Sequence, residues 1–368
     1  MQRTMNRRAK SMKSVASERI KTVSSRSPAT TIVFDAGVRY GMHPRWREFR
    51  GEMMYYGFDP DVNEVTRLKR VNALPNISFI PMALAAQPGA KTLRLYKHRG
   101  YSSFFELDPQ YGRVAHYRPG EGALEQTVEV EATTVDEFAK RERVEVDFMK
   151  VDVEGAELDV LRGAIEQLGR SVKGVRISVW FTEGFKGGAL FPDVHRFLLE
   201  HGFFLVNLDY AGRGYPVHPC VGNPDRLQPD HDRYGVLSAC EAVYLKQGNM
   251  LDQTCRTSTD ARGLAHLKYA YFCFLNDAPD VALNSLLDFA RRPSEYSDSV
   301  KATKLYQQVR LTTLRYLGRW RTNPTDHNWK LAQDTAQELF GLQLEAGHKY
   351  WELAQELECA TRDGSPCS

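Results

Sequence analysis

The sequence holds no uncharged apolar run near the roughly 18 residues that a membrane helix needs, which excludes a helical membrane span. Its six cysteines (Cys220, Cys240, Cys255, Cys273, Cys359, Cys367) include no Cys-x-x-Cys pair. In a chain of 368 residues that argues against a disulfide scaffold and against a structural zinc site. The ten histidines show no H-E-x-x-H or other ligand spacing, so no metal is implied. Residues 1–30 are nearly free of acids: Arg3, Arg7, Arg8, Lys10, Lys13, Arg19, Lys21 and Arg26 stand against Glu18 alone. Of 49 Lys and Arg and 46 Asp and Glu, that leaves 41 bases against 45 acids for the rest. A mildly acidic body excludes a broadly basic nucleic-acid surface, and no nucleic-acid partner is expected. An apolar leader is also missing, so export is not expected, and the cysteine usage points to a reducing, cytoplasmic setting. The basic arm, 1–29, has two open readings: a solvated, disordered tail or an Arg- and Ser-rich transit segment.

What is present from Thr30 onward is a series of short apolar runs alternating with amphipathic stretches. Strands are expected at 31–34, 53–58, 77–80, 144–151, 175–181, 203–208 and 241–245. Val62, Val65 and Leu68 recur at helical spacing, as do Leu158, Leu161, Ala164 and Leu168, and Phe191, Val194 and Leu198. Continuous apolar strands separated by amphipathic helices predict a parallel sheet covered on both faces, a doubly wound α/β fold. This α/β domain is expected over 30–248. Beyond it the strand signals stop, and 249–368 reads as an all-α helical extension. There Leu264, Leu267, Tyr271 and Leu275 form one stripe, and Leu339, Leu342, Ala346, Tyr350, Leu353 and Leu357 another. Pro279, Pro293 and Pro324 punctuate the region, and the end frays from Thr361. The stripes are packing surfaces, and a homo-oligomer through them is a possible assembly.

Three strand ends carry chemistry. The first strand runs into Asp35-Ala36-Gly37-Val38-Arg39-Tyr40-Gly41, where glycines allow backbone to approach a ligand closely. Taken alone, this is also what a simple tight turn looks like. The second strand ends at Asp59, the place where a nucleotide-binding α/β fold sets an acid against ribose hydroxyls. Asp59 could equally serve with Asp61 and Asn63 to cap the next helix. The first turn lacks a full G-x-G-x-x-G, and Arg39 is bulky where a pyrophosphate would need room. A nucleoside with an amino-acid end fits better, and S-adenosyl-L-methionine is such a ligand, with Asp35 toward its sulfonium or ammonium. At the fourth strand end Lys150, Asp152, Glu154 and Glu157 crowd one strand-to-helix turn, which is costly unless they work or pair.

The segment 146–164 resembles the signature of the FkbM family of S-adenosylmethionine-dependent methyltransferases. The resemblance extends to Thr133-Thr134-Val135-Asp136-Glu137, to the turn from Asp35 to Gly41, to Phe58-Asp59-Pro60, and to Met82-Ala83-Leu84-Ala85-Ala86 followed by Ser102-Ser103. It covers about 31–210. It implies a Rossmann-like, mostly parallel seven-stranded sheet, S-adenosyl-L-methionine as cofactor, and O-methylation of a sugar, glycan or other hydroxylated small molecule. Implied cofactor contacts are Asp35, Gly37, Gly41, Asp59, Ala83, Ser102 and Asp152. Implied catalytic residues are Asp152 and Glu154. The chain departs from the family at Val38-Arg39, where an alanine–asparagine pair is usual, and Pro44 shortens the helix expected after the first turn. Trp180 stands where a glutamate is common, with Glu183 a shifted candidate.

In this reading Asp152 and Glu154 take the acceptor's proton or position it, and Lys150 either lowers their pKa or closes a structural ion pair. His98, His195, His201 and His218 are alternative bases, expected at the surface or at helix ends. Tyr101, Phe104 and Phe105 line a pocket or pack in the core. Two other classes compete: a weakly active or inactive platform working through its helical extension, and a nicotinamide-dependent dehydrogenase.

Overall fold

Every side chain of β1 (Thr31–Ala36) and β2 (Met53–Phe58) is buried, as only central strands of a sheet covered on both faces require. In the computed structural model these strands sit inside a seven-stranded sheet of order β3-β2-β1-β7-β8-β10-β9. Described are residues 27–49, 53–109, 120–213, 237–248, 251, 258–291, 296–318 and 327–344. The basic arm up to Arg26, His218, Pro293, Pro324 and the second stripe from Ala346 onward lie outside them. Strands β3 (Ile77–Ile80), β7 (Phe148–Val151) and β8 (Gly174–Trp180) complete the parallel part. At the other edge β10 (Leu237–Lys246) runs antiparallel to both β8 and β9 (Phe203–Arg213). All seven expected strands are here, with β7 starting later than expected, at Phe148.

A second sheet, which the sequence reading did not anticipate, stands between β3 and the next helix. It has three strands, β4 (Ala83–Leu84), β6 (Leu124–Thr133) and β5 (Gly89–Tyr96), in that order. A short 3-10 helix, Arg99–Tyr101, follows β5.

The helices expected between strands are present. They are α1 (Val62–Val71), α2 (Val135–Glu142), α3 (Glu157–Arg162), α4 (Ile165–Arg170) and α5 (Phe191–Glu200). Between β1 and β2 the chain makes only a 3-10 helix, Pro44–Phe49, the shortening that Pro44 predicted. After β10 come α6 (Thr259–Leu275), α7 (Pro279–Ala290), α8 (Asp298–Lys301), α9 (Lys304–Leu317) and α10 (His327–Phe340). None of the described helices is long and apolar enough to cross a membrane.

Alternation along the strands divides the core in two. Phe34, Ala36, Phe58, Met149 and Val151 face α2 to α5 and pack on Phe138, Val160, Leu161 and Leu168. Val33, Tyr55, Phe148, Val243 and Leu245 face the other way and share one core with α6, α7 and α9. The helices after residue 258 therefore cover the sheet directly. Helix α6 is buried from Gly263 through Cys273, not along one stripe as its sequence suggested, because it lies between the sheet and its own neighbours. Its Phe272 stacks on Phe148 with ring centroids 4.3 Å apart and on Trp46 at 5.8 Å. A Cβ on Gly174 would come within 2.4 Å of the Phe272 ring, so glycine is needed there.

Charged groups also cross this face. Asp147 takes Lys173 at 2.6 Å and Lys268 of α6 at 2.8 Å. Burial would raise the Asp147 pKa, but the two lysines outweigh it and hold the carboxyl below its ordinary value. Arg176, 1% exposed, binds Glu241, Asp209 at 2.9 Å and Asn276 beyond α6 at 3.0 Å. Arg45, in the 3-10 helix, reaches Asp209 at 3.2 Å, Asp277 at 3.0 Å and the Leu275 carbonyl.

Candidate active site

The carboxyl ends of β1, β2 and β7 and the loop after β5 line a cleft of about 210 Å³ that is partly open to solvent. Its floor depends on Gly37. That residue has φ +85°, and a Cβ would lie 1.8 Å from the Asp152 carbonyl oxygen. The turns after β1 and β7 thus touch backbone to backbone, which only glycine permits.

Asp59 lines the cleft at the end of β2. Its Oδ1 accepts the Asp61 amide at 2.8 Å. Helix α1 is capped by Asp61, which accepts from the Asn63 and Glu64 amides, so the capping role falls to Asp61 and Asp59 is left to face the cleft. Burial pushes the Asp59 carboxyl up to about 6, against the pull of Arg39. Ala83 and Ser102 line the cleft as well.

The turn after β7 is built around Glu157. Although 1% exposed, this carboxylate accepts the Val153 amide at 3.1 Å and the Gly155 amide at 2.9 Å. Burial still lifts it to about 7. The turn forces Glu154 to φ +58°, and Ser103 Oγ donates to the Glu154 carbonyl at 2.5 Å. Asp152 and Glu154 face the cleft together. Lys150 donates to Asp152 Oδ2 at 3.0 Å. Loss of water around Glu154, then the charges of Asp152 and Glu157, push its carboxyl well above the ordinary range.

Two expected contacts fall elsewhere. Asp35 does not line the cleft. It shares the face of Val33, where Tyr55 Oη donates to its Oδ2 at 2.8 Å and Lys150 Nζ lies 3.9 Å from Oδ1. Side chains alternate along β1, so Asp35 points to the side of the sheet opposite its neighbours Phe34 and Ala36, the latter of which lines the cleft. Gly41 also stays outside the cleft; its amide closes a turn on the Val38 carbonyl at 2.7 Å. Glu183 accepts the Gly187 amide at 2.8 Å and shapes a loop.

The wall contributed by the small sheet was largely missed. Leu93, His98, Arg99, Gly100, Tyr101 and Phe104 line the cleft with Ser102. His98, expected at the surface, has a buried Nδ1 without a hydrogen-bond partner among the described residues, and Ser102 Oγ is in the same state. Buried polar atoms of this kind call for a partner such as a water, an ion or a ligand. Phe105 packs beside Tyr96, Leu107, Trp180 and Phe185 instead. His195 bonds Tyr244 at 3.1 Å and His201 the Phe197 carbonyl at 2.7 Å, so both are structural.

Comparison with known proteins bears on this arrangement. The TehB-like SAM-dependent methyltransferase of Corynebacterium glutamicum is similar at 12% identity and TM-score 0.28, over 67% of this chain and 97% of that one. A SAM-dependent methyltransferase of Anabaena variabilis is similar at 12% identity and TM-score 0.28, over 60% of this chain and 79% of that one. Both likenesses are too distant to bear on individual residues. No curated protein matches the chain. The segment from the end of β1 to the start of β9, which contains every residue of the cleft lining, matches a family model. Residues 35–205 match the model of the methyltransferase FkbM domain.

Proposed function

We propose that this domain transfers the methyl group of S-adenosyl-L-methionine to a hydroxyl of a sugar, glycan or other small molecule. One observation carries the reading: Asp59, its capping duty taken by Asp61, opens a buried carboxylate into the same cleft as the Asp152–Glu154 pair. The fit to the cofactor is chemical. Gly37 gives a floor free of side chain, Asp59 suits a vicinal diol, and Ser102 Oγ and His98 Nδ1 supply polar atoms that the protein leaves unpartnered. When bound, S-adenosyl-L-methionine brings a methyl group already activated on a sulfonium. What remains for the chain is positioning, which supplies roughly 7–11 kcal/mol in favourable cases, and removal of the acceptor's proton, worth about 10²–10⁴ in rate. Glu154 suits the second task, since burial raises its carboxyl above the ordinary range and makes its ionised form the stronger base. Asp152, held by Lys150, orients the acceptor beside it.

Calorimetric titration with S-adenosylhomocysteine tests the reading. Wild-type protein binds, and Asp59→Ala weakens binding by about tenfold or more, as expected for hydrogen bonds to a charged group worth roughly 1.5–3 kcal/mol. No binding at millimolar ligand would overturn the methyl-donor site. Unchanged affinity in the variant would move the ribose contact elsewhere.

A further inference from the structure

Arg39 stands two residues beyond Gly37 and lines the cleft. Its Nη2 lies 3.2 Å from Asp61 Oδ2 and 3.7 Å from Asp59 Oδ1, with the side chain 15% exposed. Asp59 Oδ1 thus accepts the Asp61 amide and lies within ion-pair distance of the guanidinium, whose own hydrogen bond goes to Asp61, while Oδ2 has no protein partner among the described residues.

The charges around Asp59 come from four places. Arg39 reaches it from the turn after β1, and Asp61 and Glu64 oppose it from the start of α1. Across the cleft, Asp152 and Glu154 stand on the β7 turn, and His98 and Arg99 on the loop after β5. Arg99 is committed to Glu125 at 2.8 Å. The one guanidinium in contact with Asp59 is therefore Arg39. Burial and two neighbouring acids favour the protonated form of Asp59. A protonated carboxyl offers a diol fewer lone pairs than a carboxylate does, and its own proton competes for the same space.

We propose that Arg39 is a positioning residue for the methyl donor's ribose: it holds Asp59 as an oriented carboxylate whose Oδ2 stays open to the two hydroxyls. This rests on the reading of the cleft as the S-adenosyl-L-methionine site. Arg39 replaces the asparagine usual for the family, and the replacement is a working part of this chain's site. The opposite role, a guanidinium that competes with the diol for the carboxylate, makes the opposite prediction.

The test is calorimetry with S-adenosylhomocysteine from pH 5 to 9 on the full chain, in wild type, Arg39→Met and Arg39→Lys. Wild-type affinity is flat at high pH and falls as Asp59 protonates. In Arg39→Met the midpoint of that fall rises by about one pH unit or more, affinity at pH 7 drops severalfold, and it recovers toward wild type at pH 9. Arg39→Lys restores the wild-type midpoint. Tighter binding by Arg39→Met at every pH would identify a competitor, and a uniform loss with an unmoved midpoint would reduce Arg39 to packing; either overturns the proposal alone. Absence of wild-type binding at every pH would overturn the methyl-donor reading with it.

Discussion

The two faces of the central sheet are covered by helices of different origin and by different chemistry. On one face lie α2 to α5, each drawn from the connections between strands, and the contact is mostly apolar, with Phe34, Tyr56 and Phe58 surrounding Phe138; its buried Lys246 donates to the Leu168 carbonyl at 2.6 Å and meets no acid there among the described residues. On the other face α1 covers the part beside β2 and β3, but the link from β1 to β2 is only a 3-10 helix, and the missing cover is supplied by α6 from beyond the last strand. This second contact is partly ionic, with Asp147 between Lys173 and Lys268, and Arg176 and Arg45 reaching the end of α6. The comparison teaches that apolar patterning does most of the docking where a helix is tethered at both ends to strands. A helix arriving from far along the chain is docked here with specific polar partners as well, each buried charge matched by another.

The largest test of the difference is Trp46→Ala against Phe138→Ala. Both remove a buried aromatic and are expected to cost about 3–5 kcal/mol in denaturant unfolding. Only Trp46→Ala, which empties the stack on Phe148 and Phe272, should render α6 and α7 sensitive to limited proteolysis. Equal sensitivity in both variants would erase the distinction between the faces.

A pH titration sharpens it further. Burial first, and against the pull of Lys150 and Tyr55, lifts Asp35 on the ionic face to about 6 from an ordinary 3.8. Between those values the folded state holds a proton that the unfolded state has lost, so stability falls as pH rises through the window and is level above it. One such proton gives up to about 1.4 kcal/mol per pH unit. Asp35→Asn should remove that component of the slope in unfolding measured from pH 4 to 7, while Phe138→Ala leaves it intact. An unaltered slope in Asp35→Asn would assign the proton to another group. The smallest effect is expected from Tyr244→Phe on the apolar face. It deletes the bond to His195 and should cost about 1 kcal/mol, with no change in the slope. A cost above 3 kcal/mol would show that this face also leans on polar contacts.

Much of this was legible in the sequence. The seven strands of the main sheet, Asp59, Gly37 and the Asp152–Glu154 turn follow from apolar runs and from acids at strand ends. The small sheet was not read, although Thr127-Val128-Glu129-Val130-Glu131 alternates with period two and marks a strand on its own. The placement of Asp35 was within reach too, since alternation sets it on the face of Val33, away from Ala36. Beyond reach were the facts that depend on distant segments meeting. Nothing local distinguishes His98 as a cleft residue, and Glu157 reads as one more acid in a crowded turn, not as the acceptor for its backbone amides. Helix α6 looked amphipathic because sequence periodicity cannot reveal a second and third partner.

The origin of α6 has a temporal side. The Arg45 contact to the Leu275 carbonyl spans 230 residues, and contacts of that separation form late because a long loop must close first. As the chain leaves the ribosome, the strands that carry Val33, Tyr55 and Phe148 are complete well over a hundred residues before the helix that shields them. For that interval one side of a nearly finished sheet is exposed apolar surface, the condition under which nascent chains call on chaperones. The 3-10 helix that follows the first turn of the cleft is anchored by a helix made only after the whole sheet, so that side of the site takes its final place late in synthesis.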